Sequence, residues 1–354
     1  MMTSQLARER AEQLYPLVVA QFYLPESGLY QEFNPPRPES KPYSWLWPYS
    51  SLVSALNVLV RLPQGGHTYY DDLRKSLEVF EAYYDSHVPI PGYDDYPKRD
   101  GGGRKYYDDN EWLGLEFLNA YETLGDVLYL EKAKQAFEFA YSGWSDELGG
   151  GIYWRENDNE SKNTCSNGPQ AVLALRLYQT THETRYKDIA LAILKWLTPL
   201  RAPEGAYWDN IKVSDGTIDQ RTYTYNTGTV LHSHALLYTI TGETAHLHEA
   251  QALARGAHSH FAPIHPKADI HLYPKTPWFN TVLLRGYLAL YAIDPNPIYV
   301  DSMRTNLDYA WEHARREDGL VGGDWSGETD DHLPHRYILD QGAMIELYAL
   351  LGLE

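Results

Sequence analysis

Asp108 and Asp109 stand side by side where a glycine-rich, aromatic stretch, Gly101-Gly102-Gly103 followed by Tyr106 and Tyr107, runs into a helical pattern continuing through Leu113, Phe117, Leu118 and Tyr121. A helix N-terminus accepts one Asp as a cap, and its dipole favours negative charge. The second Asp is left over. Neighbouring carboxyls push their proton affinities apart, so one ionises readily while the other keeps its proton. Such a pair can supply a base and an acid, or a nucleophile and an acid. The structural alternative is a cap with a solvated neighbour, and what the chain places around the pair decides between them.

The elements that must position the pair follow from a repeat. A helix that ends in a short polar turn and restarts on an aromatic-acid-apolar pattern recurs at Tyr70, Tyr129, Tyr186, His246 and Tyr299, with spacings of 59, 57, 60 and 53 residues. Apolar periodicity places helices near 4–23, 47–62, 69–87, 108–124, 127–143, 165–180, 184–198, 227–241, 244–261, 278–292, 297–315 and 335–351. Twelve helices joined alternately by short turns and long loops suit an all-α, closed (α/α)6 barrel of six helical hairpins, forming one domain over residues 1–354. An open solenoid is the alternative, and it would carry polar capping helices. Short strands are expected inside the long loops, at Ile152-Tyr153-Trp154 and Tyr223-Thr224-Tyr225.

In such a barrel every long loop leads into an even-numbered helix, so all of them gather at one rim. That rim collects Trp45, Trp47 and Tyr49, then Tyr107 with Asp108 and Asp109, then Lys162 and Asn163, then Tyr225 and Asn226, then Trp278 and Asn280, and finally Asp330, Asp331, His332 and Arg336. Converging aromatic and polar side chains read as a substrate cleft. Trp45, Trp47, Trp154, Trp278, Trp208 and Trp325 are candidates for stacking on sugar rings, against the alternative of loop packing. Asp94-Asp95 is a second acidic pair and reads as solvated turn residues.

Composition narrows the partners. The 354 residues carry a formal charge of −18, which disfavours a nucleic-acid backbone or an anionic membrane surface. Neutral or cationic ligands remain open, and the 30 Tyr and 10 Trp suit core, interface and carbohydrate-stacking roles alike. One cysteine, Cys165, excludes an internal disulfide and a multi-cysteine metal site. The histidine pairs His232/His234, His246/His248 and His258/His260 are spaced i, i+2, which points them to different helix faces, so no metal is expected. A magnesium-dependent prenyl or terpene synthase would want a further acid four residues after Asp108, where this chain has Trp112. The first ten residues have no apolar leader region, which sets the expectation of a cytoplasmic protein. A secreted chain whose leader had been removed would read the same way.

The motifs Tyr107-Asp108-Asp109-Asn110-Glu111-Trp112, Gly150-Gly151-Ile152-Tyr153-Trp154, Lys162-Asn163-Thr164-Cys165-Ser166-Asn167, Tyr225-Asn226-Thr227-Gly228 and Phe279-Asn280-Thr281 resemble, in order and spacing, glycoside hydrolase family 76. Known members are mainly endo-acting α-1,6-mannanases. The resemblance implies an (α/α)6 fold and retaining chemistry with Asp108 as nucleophile and Asp109 as general acid/base. Taken with the rim, it sets the expectation of an oligo- or polysaccharide substrate bound by Trp45, Trp47, Tyr107, Trp154, Lys162, Asn163, Tyr225, Asn226 and Trp278; no cofactor is expected, and a monomer is favoured. Two rivals stay open. A sugar epimerase or isomerase on the same barrel would use histidine bases at the rim, and a glycan-binding protein would keep the aromatic rim without cleavage.

Overall fold

The computed structural model describes residues 2–87, 89–329 and 334–354. Among them lie twelve α-helices: α1 Ser4–Phe22, α2 Leu46–Leu59, α3 Tyr70–Val79, α4 Tyr107–Leu124, α5 Val127–Tyr141, α6 Gly168–Thr181, α7 Thr184–Leu197, α8 Thr224–Thr241, α9 Thr244–Phe261, α10 Pro277–Tyr291, α11 Ile298–His313 and α12 Ile338–Leu353. The helices expected at 69–87 and 165–180 are shorter. The first gives way to a 3-10 turn at Phe80–Ala82, and the second is preceded by one at Thr164–Ser166.

Two kinds of helix sequence make two layers. The even-numbered helices are apolar around most of their circumference; in α2 and α12 nearly every residue is buried, as a helix without a polar face must be. The odd-numbered helices keep a polar face outward, as in α3 and α7. Each even helix packs on the next, α2 on α4, then α6, α8, α10 and α12, and α12 returns to α2. That return closes an (α/α)6 barrel and excludes the open solenoid. Outside it, α1 covers α12, and each remaining odd helix covers the even helix before it. A close approach joins α8 to α10: a Cβ on Gly228 would stand 2.7 Å from the Leu283 Cα, and one on Gly286 would stand 2.7 Å from the Gly228 carbonyl.

A charged cluster crosses the interior. Arg285 on α10 donates from Nε to Glu346 on α12 at 2.7 Å, and its guanidinium also reaches Ser54 on α2 and Glu116 on α4. Asn57 donates to Glu116 at 2.8 Å. Four inner helices are thereby tied to one cation. Removing it leaves two buried carboxyls without their counter-ion, so Arg285→Ala is expected to cost about 3–5 kcal/mol of unfolding free energy. Chemical denaturation checks it, and Arg285→Lys recovers part of the loss.

The long loops carry the strand expected around Tyr153 but not the one at Tyr223-Thr224-Tyr225: the strand there ends at Thr222, and Thr224 and Tyr225 already belong to the first turn of α8. A four-stranded antiparallel sheet runs Tyr153–Arg155, Asp158–Asn163, Trp208–Lys212 and Ile218–Thr222. A two-stranded pair joins Phe33–Asn34 to Arg336–Tyr337 and brings the segment after α1 to the start of α12. No helix among the described residues is long and apolar enough to cross a membrane.

Candidate active site

The acidic pair sits in the first turn of α4, which begins as the backbone turns out of an extended Tyr106. Asn110, one turn on, fixes that start. Its amide exchanges hydrogen bonds with the Tyr93 backbone, accepting at 2.8 Å and donating at 3.0 Å. Neither Asp is the cap expected from the sequence, since Tyr106 holds the N-cap position without a side-chain bond; Asp108 instead accepts the Asp109 N–H at 3.0 Å. Its other oxygen accepts the Trp154 indole N–H at 3.3 Å, and the Cys165 thiol offers a further hydrogen bond. Among the described residues no donor hydrogen-bonds the Asp109 carboxyl.

This asymmetry sets the protonation. Burial raises the Asp108 carboxyl to about 6, against the pull of its donors toward the ionised form. Burial raises Asp109 much further, and the charges of Asp108 and Asp95 add to it. Near neutrality the pair therefore holds one proton, on Asp109. The helix dipole acts on both carboxyls in the first turn, so the three donors to Asp108, which Asp109 lacks, make the difference.

The pair lines a cleft of about 640 Å³ at the loop end of the barrel. Trp45, Trp47, Trp154, Asn163, Tyr225 and Trp278 line it as expected, whereas Tyr49, Asn280 and Arg336 of the expected rim are buried and do not line it. The rings brace one another: Trp278 meets Trp47 and Trp112 edge-on at 5.3 and 4.8 Å, and Tyr225 lies 4.2 Å from Phe279. Trp154 leans edge-on against Tyr106 at 5.0 Å and remains 37% exposed, so part of its surface is open to a ligand.

Three expected contacts lie elsewhere. Lys162 is fully buried, and its ammonium donates to the carbonyls of Ser145, Glu147 and Gly150 at 2.8, 2.6 and 2.6 Å, holding the loop before the sheet. Side chains alternate along a strand, so Ser161 and Asn163 face the cleft while Lys162 between them faces away. Tyr107 packs on Phe139 at 5.3 Å and against Gly143, where a Cβ would stand 2.5 Å from its ring; Tyr106 lines the cleft in its place. Asn226 is buried one position past Tyr225. Trp208 and Trp325 are not among the cleft-lining residues, and Trp325 is buried with its indole N–H on Met344. Asp330, Asp331 and His332 lie outside the described residues.

Sequence reading missed Glu32, Asp95, Asp209, Arg221 and Tyr223, all of which line the cleft. Glu32 arrives through the strand pair at Phe33–Asn34, and burial raises it to about 7. Asp209, Arg221 and Tyr223 come from the outer hairpin of the sheet, where the Arg221 guanidinium holds Asp219 at 2.6 Å and Asp209 at 3.4 Å. Asp95, read as a solvated turn residue, is turned into the cleft.

An adjacent carboxyl pair with split proton affinity, on the floor of an aromatic cleft in an (α/α)6 barrel, has the layout of a glycoside hydrolase site. The chain matches Glycosyl hydrolase family 76 over residues 10–344, and it belongs to that family. A family 76 glycoside hydrolase from a bovine Bacteroides thetaiotaomicron strain superposes with a TM-score of 0.90 at 29% identity, over 98% of this chain and 77% of that one. An inactive variant of an α-1,6-mannanase from Salegentibacter sp. HEL1_6, with two consecutive aspartates replaced by asparagine and α-1,6-mannotriose bound, superposes with a TM-score of 0.81 at 25% identity, over 98% and 99% of the chains. Mannan endo-1,6-alpha-mannosidase DCW1 of Saccharomyces cerevisiae is 31% identical over 137 residues, 36% of this chain and 30% of that protein. The matched stretch thus spans about a third of the length of the first curated relatives.

Proposed function

We propose that the protein hydrolyses α-1,6-linked mannosides, with endo action, by a retaining double displacement. The observation that carries the reading is the adjacent pair of carboxyls, Asp108 held by hydrogen-bond donors and Asp109 without one among the described residues, both lining the aromatic cleft. The ionised Asp108 carboxylate attacks the anomeric carbon, forming a mannosyl ester, while Asp109 gives its proton to the departing glycosidic oxygen. Asp109, now ionised, takes a proton from water; that water attacks the ester carbon and returns Asp108 as carboxylate. The α-1,6-mannanase with its two consecutive aspartates replaced, inactive and holding mannotriose, supports both the residues and the linkage. No histidine stands among the described residues that line the cleft, which disfavours the epimerase or isomerase alternative.

The test is incubation with α-1,6-, α-1,2- and β-1,4-linked manno-oligosaccharides, following the anomer released by NMR before mutarotation. The expected result is cleavage of the α-1,6 series with the α-anomer appearing first. If the β-anomer appeared first, Asp108 would be activating water and the double displacement would be wrong.

A further inference from the structure

We propose that Asp95 is a third carboxylate of this site, a positioning residue that acts through Asp109 by holding a fixed negative charge on that side of the cleft. The inference rests on the reading of Asp109 as the general acid/base.

The backbone around Asp95 is clamped at three points. Its N–H donates to the Arg104 carbonyl at 2.8 Å, its carbonyl accepts the Leu46 N–H at the start of α2 at 2.8 Å, and its Oδ1 accepts the Arg104 N–H at 2.9 Å. The glycine loop is cut to fit this carboxylate: a Cβ on Gly103 would lie 1.6 Å from the Asp95 Oδ1. Gly103 does not have a left-handed backbone, so its requirement for glycine is one of space.

The two members of the Asp94-Asp95 pair are used differently. Asp94 turns to Lys98 at 3.1 Å and to the Gly103 N–H at 3.2 Å, where its charge is matched. Asp95 lines the cleft, and among the described residues no cation forms an ion pair with it. Burial raises its carboxyl above the usual range and Asp94 adds to the rise, against the pull of the Arg104 N–H and of the Lys41 and Arg104 charges toward the ionised form. The groups facing Asp109 are Asp108 on its own helix, Asp95 from the glycine loop, Glu111 one turn along α4, and the Tyr337 hydroxyl from the start of α12. Glu111 and Tyr337 are both held neutral by burial, so the standing charges acting on Asp109 are those of Asp108 and Asp95.

The consequence is mechanistic. While Asp108 is consumed as an ester its charge is gone, and Asp95 is then the negative neighbour that makes Asp109 a base strong enough to deprotonate water. Asp95→Asn keeps an acceptor for the Arg104 N–H and removes the charge. The expected result, with α-1,6-mannotriose, is that the alkaline limb of kcat/KM moves down by about one pH unit, while the acid limb stays. Asp95→Ser, neutral and smaller, carries the same expectation if the Asn variant does not fold. An unmoved alkaline limb, or a KM raised equally at every pH, would overturn the inference. Asp109→Asn separates the two readings. If it retains wild-type activity, the general-acid assignment fails; if it is inactive while the Asp95 variants keep their alkaline limb, only the role of Asp95 fails.

Discussion

Asp108→Ala is expected to lower kcat on α-1,6-mannotriose by about four orders of magnitude, some 5 kcal/mol of transition-state stabilisation, with a folded protein that still binds the oligosaccharide. The loss follows from position: Asp108 is the member of the pair that Trp154, Cys165 and the Asp109 N–H keep ionised, and no other carboxylate holds that place. The variant should unfold at a denaturant midpoint no lower than wild type at pH 7. A carboxyl raised by burial binds its proton more tightly folded than unfolded, so above the unfolded value it withdraws stability as pH rises through about 6. Azide distinguishes a nucleophile from a mere structural acid. In the cavity left by Asp108→Ala, azide enters from the nucleophile's side, and an activated aryl α-1,6-mannobioside should give the β-glycosyl azide. Restored activity yielding the α-azide, or wild-type turnover without azide, would remove Asp108 from the role.

The helical repeat was legible because it is local: each inner helix shows its burial in its own composition, and alternating turn and loop lengths imply pairing without any knowledge of tertiary contacts. Barrel closure was an inference from number, and α12 packing on α2 decides it. The acidic pair was legible for the same reason, since a helix start needs one carboxylate and the chain offers two. What failed was direction by a single residue. Tyr107 and Tyr106, Lys162 and its neighbours, and Tyr225 and Asn226 each divide between core and cleft according to where a strand or helix begins, a boundary that periodicity fixes only to within a turn. The strand signal in Ser161-Lys162-Asn163 was present, because alternation alone sends Lys162 opposite to its neighbours. Glu32 and Arg221 carried no such signal. They reach the cleft through pairings with Arg336–Tyr337 and Trp208–Lys212, which join segments whose local sequences give no hint of each other.

Asp95 shows a further limit. Two consecutive acids in a Gly-rich loop look like solvent-facing turn chemistry, but Asp94 is buried and its charge is matched by Lys98. Only the missing Gly103 side chain, seen against the Asp95 carboxylate, separates the two roles. Within the triple glycine, Gly103 is a space that one carboxylate occupies.

Asp109→Ala is expected to fail selectively. On mannotriose, whose leaving alcohol needs a proton, the rate should fall about 10²- to 10⁴-fold; on an aryl α-1,6-mannobioside with a good leaving group the first step should be nearly normal and the mannosyl ester should accumulate. Added azide should then release the α-azide, the opposite anomer from the Asp108 variant, because it attacks the ester from the water's side. The pH profile completes the argument. Wild-type kcat/KM should rise through about pH 6 as Asp108 ionises, and fall at higher pH as Asp109 loses the proton that burial and its two charged neighbours retain. In Asp109→Ala the alkaline limb should vanish. The acid limb should stay, because Asp109 is already neutral across the range where Asp108 titrates and so contributes no charge for the substitution to remove. A variant that kept its alkaline limb would place the acid on another group, and an acid limb displaced by a unit or more would mean that the proton is shared the other way round.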